Sequence, residues 1–219
     1  MRDLLNDKLG EAHELLLVMS TLVEENIKLA MEALLNKDFE LADKVIENDE
    51  LIDSYEEKIE DLCIELIATQ NPLGSDLRKI FSIQKIISDL ERIGDHSENI
   101  AIIVKKIGEE GLIKPLIDIP KMANIAIDML HSSINAYIDG NIELVIETIK
   151  KDDKVDLLYE EIYGELIELF NDNKKYKNQI LSLLLIGMNL ERIADHSTNI
   201  CERVYYIVKG ERIKFYLIQ

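Results

Sequence analysis

The chain of 219 residues contains no Trp, only 3 Pro, 9 Gly and 2 Cys, and is 5% aromatic. So little Pro and Gly beside 47% hydrophobic residues excludes a disordered chain and leaves a helix-rich globular one. Cys63 and Cys201 stand far apart, neither with another Cys or a His at zinc-ligand spacing, which excludes a disulfide framework and reads as two reduced core residues. Basic residues are scarce as well: 25 Lys and Arg face 43 Asp and Glu, a formal charge of -18. That balance argues against a nucleic-acid binder, which must recruit bases to phosphates; cations or basic partner surfaces fit better, while the charge total alone is equally met by a solvated acidic surface that only aids solubility, so the placement of the acids decides. No apolar run is long enough for a bilayer, since the most apolar stretch is Leu181 to Leu190. The opening Met1-Arg2-Asp3-Leu4 lacks the basic-then-apolar layout of a signal peptide. The expectation is a cytoplasmic protein that meets a membrane only peripherally, through partners.

What is present is a duplication. Glu91-Arg92-Ile93-Gly94-Asp95-His96-Ser97-Glu98-Asn99-Ile100 returns as Glu191-Arg192-Ile193-Ala194-Asp195-His196-Ser197-Thr198-Asn199-Ile200, with eight of ten positions identical. Packing alone preserves an apolar pattern; it does not require Glu, Asp, His and Asn to stay in register. Chemistry is therefore expected at both copies.

Apolar residues recur at three- and four-residue spacing, as in Ile83, Ile86, Ile87, Leu90 and Ile93, and no segment alternates like a strand. Breaks fall at Asn36-Lys37-Asp38, Asn71 to Ser75, Gly108 to Pro120, Asp139-Gly140-Asn141 and Asn171-Asp172-Asn173. Five breaks predict six helices. Asp38-Phe39-Glu40-Leu41 matches Asn141-Ile142-Glu143-Leu144 three residues out of step with the motif, so the first half has three extra residues, most simply in the turn around Pro72. The predicted fold is all-α: two tandem three-helix bundles, residues 1–110 and 111–219, joined near Gly108 to Pro120.

Acidic pairs four residues apart occur in each half. Asp49 and Asp53 correspond to Asp152 and Asp156; Glu91 and Asp95 correspond to Glu191 and Asp195. Residues four apart share one helix face, so each pair presents two carboxylates side by side, which repel unless a cation offsets them. The midpoint between the two pairs falls at Pro72 in the first half and at Asn173 and Lys174 in the second, so antiparallel helices bring four carboxylates level in each half. At about 100° per residue, the acids lie roughly 100° from the apolar arc of each helix, with the same sign. They are expected to line a groove between helices, outside the core and open to ions.

Oxygen-rich clusters suit hard cations, and His96 and His196, about 100° round from Asp95 and Asp195, point off the acid face. Four carboxylates per site could bridge more than one ion, with Glu57, Asn99, Glu160 and Asn199 as further candidates along the same faces. The plainer reading is that acid pairs four apart are common on exposed helices and that Arg92 and Arg192 merely neutralise their neighbours. Four pairs, duplicated and level across two hairpins, weigh against it. Catalysis has no support: Ser97 and Ser197 have no triad-like companions, and no Gly-rich phosphate loop is present. A ferritin-like carboxylate-bridged di-metal oxidase would need Glu-x-x-His pairs, and His13 and His131 lack the Glu three residues before them. A metal-free helical scaffold is the remaining alternative.

With Asp76-Leu77-Arg78 opening the third helix, Asp89-Leu90 running into the motif and Val204 to Glu211 closing the pattern, the chain resembles the PhoU family of phosphate-uptake regulators from about residue 11 to 213. Thr69, before Gln70-Asn71-Pro72, departs from the Arg often found there in the family. The resemblance implies multinuclear metal clusters on Asp49, Asp53, Glu91 and Asp95 and on Asp152, Asp156, Glu191 and Asp195, with iron expected first and manganese, zinc, magnesium or calcium as alternatives. It also implies a non-enzymatic, homodimeric negative regulator of phosphate import and phosphate-starvation signalling. The implied partners are the ATPase of a phosphate ABC transporter and a membrane sensor histidine kinase.

Overall fold

The computed structural model describes residues 2–109, 111–172 and 174–213. Six helices account for nearly all of them: α1 (Arg2–Asn36), α2 (Phe39–Gln70), α3 (Ser75–Ile107), α4 (Asp118–Asp139), α5 (Ile142–Asp172) and α6 (Lys177–Lys209), with a 3-10 turn at Lys174–Tyr176. The matched tetrapeptides are helix starts. Asp38 accepts from the Leu41 amide at 2.9 Å, and Asn141 accepts from the Leu144 amide at 3.1 Å, each satisfying an orphan donor of the first turn. The reversals before them need a left-handed residue, supplied by Lys37 (φ 54) and Gly140 (φ 63).

Two differences from the expected boundaries stand out. Helix α4 begins at Asp118, so Pro120 lies inside its first turn, where its missing amide hydrogen is harmless. The three extra residues of the first half are not in the loop: α2 runs one residue longer than α5, and α3 carries two more residues ahead of its motif than α6 does.

Helices α1, α2 and α3 form one three-helix bundle and α4, α5 and α6 the other; α3 and α6 run antiparallel and make the broadest contact in the molecule. Equivalent residues of the two motif helices, Ile86, Leu90, Ile93 and Ile100 against Ile186, Leu190, Ile193 and Ile200, are all fully buried. Each such side chain contributes about 1.5–3 kcal/mol by leaving water. Cys63 and Cys201 are both free and buried in this core, where burial pushes their thiols up to about 12. Helix α1, at 35 residues against 22 for α4, extends past the repeat, and its His13 meets Tyr137 of α4 at 3.3 Å. Among the described residues no helix is long and apolar enough to cross a membrane.

Candidate functional site

The α2–α3 hairpin turns at Asn71, whose left-handed backbone (φ 47, ψ 53) ends α2 close to the expected midpoint at Pro72. From that turn the two helices climb at equal rise, and Asp49, Asp53, Glu91 and Asp95 come level in one cleft: Asp53, Asp95 and Glu91 act on the ionisation of Asp49, Asp95 on that of Asp53, and Asp95 and Asp53 on that of Glu91. The α5–α6 hairpin does the same with Asp152, Asp156, Glu191 and Asp195. The two acid pairs of each half thus share one cleft at one level, as the equal rise from each turn requires. Glu57 and Glu160 are exposed flank residues beside Asp53 and Asp156.

One expectation is corrected. The carboxylates were placed outside the core, yet Asp49 is only 7% exposed and its Oδ1 has no hydrogen-bond partner. The cause is Gly94 on α3: a Cβ there would lie 2.9 Å from Asp49 Oδ1, so the missing methyl is the space the carboxyl occupies. Burial first, then the charges of Glu98, Asp53, Asp95 and Glu91, raise Asp49 to about 7. Burial and Asp95 raise Glu91 to about 7, with Arg92 opposing. In the second half, burial and then Asp156 and Asp195 raise Asp152 to about 6. Asp53, Asp156 and Glu191 are raised by burial first and by their acidic neighbours after it.

The arginines of the motif compensate only in part. Arg92 donates to Asp95 Oδ2 at 2.7 Å and lies 3.2 Å from Glu91 Oε2; Arg192 donates to Asp195 Oδ2 at 3.2 Å. Both guanidinium groups are more than half exposed, where such pairs contribute little. Among the described residues, no three carboxylate, imidazole or thiol groups close round a point tightly enough to hold an ion. The acids form an open strip along each cleft, and a cation would draw them together. The donor set, all oxygen with one buried and unpartnered carboxylate atom, fits a hard cation.

The remaining polar residues of the motif serve a different purpose. His96 Nδ1 donates to Asn189 Oδ1 at 2.9 Å, and His196 Nδ1 donates to Asp89 Oδ1 at 2.9 Å, across the α3–α6 interface. The two imidazoles stand 5.7 Å apart, and burial lowers the pKa of His96. Asn199 donates to Asp89 at 3.2 Å in this same junction, whereas Asn99 is exposed. The duplicated His therefore joins the halves to each other, a role visible only once α3 and α6 are seen to pack.

Two acids escaped the sequence reading. Glu56 lies near Asp53, Glu91 and Asp95 and is raised by burial, then by Glu60, Asp53 and Asp95, with Arg92 opposing; Glu98 is the strongest acidic neighbour of Asp49 and is raised by burial, then by Asp95 and Asp53. Each follows a paired acid by three residues, the other spacing that shares a helix face, so the signal existed. It was lost because only positions identical in both halves were selected, and the second half has Tyr159 and Thr198 there.

Comparison with known proteins agrees with the duplicated six-helix fold. The sequence pattern of the PhoU domain matches the chain twice, over residues 16–104 and 119–204. The chain is 37% identical over 213 residues, 97% of either chain, to the phosphate-specific transport system accessory protein PhoU homolog of Clostridium acetobutylicum. It superposes on the crystal structure of the phosphate transport system regulatory protein PhoU from Streptococcus pneumoniae with a TM-score of 0.89 and 33% identity, covering 96% of this chain and 100% of that one. The crystal structure of PhoU from Pseudomonas aeruginosa gives a TM-score of 0.91 at 31% identity, covering 94% and 99% respectively.

Proposed function

The chain belongs to the PhoU domain family, and from that membership we propose that it is an accessory regulator of a phosphate transport system, working in the cytoplasm as a non-enzymatic adaptor. In this reading it restrains phosphate uptake and phosphate-starvation signalling through the ATPase of a phosphate ABC transporter and a membrane sensor histidine kinase, and it acts as a homodimer. Support comes from the relatives' shared role in phosphate transport, from a surface of net charge -18 suited to basic partner faces, and from the lack of any membrane-crossing helix among the described residues.

The observation that carries the site is Asp49: a carboxyl buried among four acids, Glu98, Asp53, Asp95 and Glu91, raised to about 7, with an oxygen that has no hydrogen-bond partner among the described residues. We propose that Asp49, Asp53, Glu91 and Asp95, with Glu56 and Glu98 at the rim, hold hard cations in the first half, and that Asp152, Asp156, Glu191 and Asp195 do so in the second. Iron is the first candidate, and a cluster of more than one ion fits the number of donors. Bound cations would supply positive charge that turns the repulsion along each cleft into attraction. Asp49 and Asp53 would then clamp α2 to Glu91 and Asp95 of α3, fixing the helix spacing that a partner reads. Elemental analysis of protein purified without chelator tests the site: ions in both halves are expected, and protein free of bound metal leaves the bare helical scaffold as the reading. Deleting the chromosomal copy tests the role, with phosphate-starvation genes expected to switch on in high phosphate; unchanged expression sinks the regulatory assignment.

A ferritin-like oxidase is disfavoured by the same geometry. The motif imidazoles face the α3–α6 junction, and the acids lie along two-helix clefts rather than inside a four-helix core.

A further inference from the structure

Three of the chain's six arginines, Arg78, Arg203 and Arg212, gather where α3 begins and α6 ends. Beside them is a cavity of about 380 Å³ lined by Phe81, Ser82, Glu202, Arg203, Tyr206 and Arg212. Two polar atoms on its wall are buried and unmatched: Arg203 Nε and the Oγ of Ser82, a residue with no exposed surface. A buried helix serine ordinarily returns its hydroxyl to the carbonyl one turn back, as Ser97 and Ser197 do with Ile93 and Ile193. Ser82 does not. Among the described residues the arginine ion pairs are those of Arg92 and Arg192; Arg203 and Arg212 have none.

Arg78 completes the electrostatics. Its guanidinium lies 5.7 Å from the centre of the Tyr206 ring and fills the space over Gly210, where a Cβ would collide with Nη1. That puts a cation beside Gly210 at the C-terminal end of α6, where it offsets the negative end of the helix dipole, which would otherwise repel an anion here. Glu202 is the one acid among the lining residues.

The duplication provides an internal control. At the opposite end of the α3–α6 pair, a matching cavity is lined by Lys106, Gly108, Glu109, Asn178, Gln179 and Ser182. Ser182 stands where Ser82 does, but Asn178 replaces Arg78 and Ile103 replaces Arg203. Gln179 is engaged with Gly111 and Ile113. Packing of the repeated helices thus does not require arginine at this place.

We propose that the arginine-lined cavity binds a phosphate-sized tetrahedral oxyanion, free or as the head of a monoester, with the Arg203 and Arg212 guanidinium groups and the Ser82 hydroxyl as donors. Guanidinium forks match paired oxyanion acceptors, and the hydroxyl adds a third direction. Phe81, 53% exposed, and Tyr206 form a wall for whatever a monoester carries. The site is distinct from the acidic clefts and stands whether or not those hold metal.

Equilibrium dialysis of the full chain against radiolabelled inorganic phosphate, and separately against AMP, tests it. Saturable binding that weakens with added salt is expected. Arg203→Gln and Ser82→Ala should each weaken binding by about tenfold or more, Ser82→Ala without loss of thermal stability because it removes an unmatched buried hydroxyl. Ser182→Ala and the Asp95→Ala/Asp195→Ala pair should leave it unchanged. Tighter binding of AMP assigns the monoester, and binding of phosphate alone assigns the free ion. Absence of saturable binding to either ligand at millimolar concentration overturns the proposal, as does binding that survives Arg203→Gln and Ser82→Ala or disappears only with Asp95 and Asp195.

Discussion

The α2–α3 cleft and the α5–α6 cleft carry the same four carboxylates, yet the first is deeper and more acidic. Gly94 lets Asp49 sink until it is 7% exposed, whereas Ala194 at the matching place keeps its methyl, and Asp152 stays half-buried. Glu56 and Glu98 add charge to the first cleft, while the second has Tyr159 and Thr198. A paired exchange accompanies this: Tyr159 rests 3.2 Å from where a Gly187 Cβ would be, and the first half has Ile87 in place of that glycine. Thr198 pulls Asp152 back down, although its buried Oγ1 closes no well-formed hydrogen bond. A duplicated site has thus diverged through its surroundings while its ligand positions stayed fixed, and the two clefts should differ in cation affinity and pH response.

The largest expected effect tests whether the clefts act separately. Asp95→Ala and Asp195→Ala should each remove the ions of one half only, and the double substitution should remove them all while far-ultraviolet circular dichroism stays helical. Elemental analysis reads this directly, and loss of all metal from either single variant would mean that the halves are coupled through α3 and α6.

Next comes pH. Asp49 and Glu91 bind protons more tightly in the folded protein than in the unfolded chain, so metal-free protein should lose stability as pH rises from about 4 to about 7 and level off above that. Denaturant unfolding at pH 7 should find Asp49→Asn more stable than the parent by about 1–3 kcal/mol when metal is absent, and Asp152→Asn by less. Equal gains would erase the contrast between the clefts.

Smaller changes should convert one cleft toward the other. Glu98→Thr removes the strongest acidic neighbour of Asp49, so an NMR titration of its carboxyl should move from about 7 toward about 6, where burial and its neighbours hold Asp152. Gly94→Ala should push the Asp49 carboxyl outward and move its titration the same way. Its stability should change by less than about 1 kcal/mol, because the helix gain of Ala offsets the contacts at 2.9 Å with Asp49 and 3.2 Å with Ile52. An unmoved Asp49 titration in both variants would leave the depth of the first cleft without its assigned cause.

Much of this was readable beforehand. Apolar spacing and turn residues located six helices, and the out-of-step tetrapeptides turned out to be the caps Asp38 and Asn141. Equal rise from two turns was enough to bring the two acid pairs of each half level along one cleft. The burial of Asp49 was not readable, because it depends on a missing methyl on a neighbouring helix rather than on any property of α2. Nor was the role of His96 and His196, whose partners Asn189 and Asp89 lie in the opposite half.

By itself the sequence determined the helices, the duplication and the level at which the acids meet, since all three follow from local periodicity and a fixed rise per residue. Only the tertiary structure decided how deep each carboxyl sits, which motif residues face the other half, and where Arg78, Arg203 and Arg212 converge. Those depend on contacts between helices distant along the chain, and one absent Cβ or one antiparallel register sets them without leaving a periodic trace.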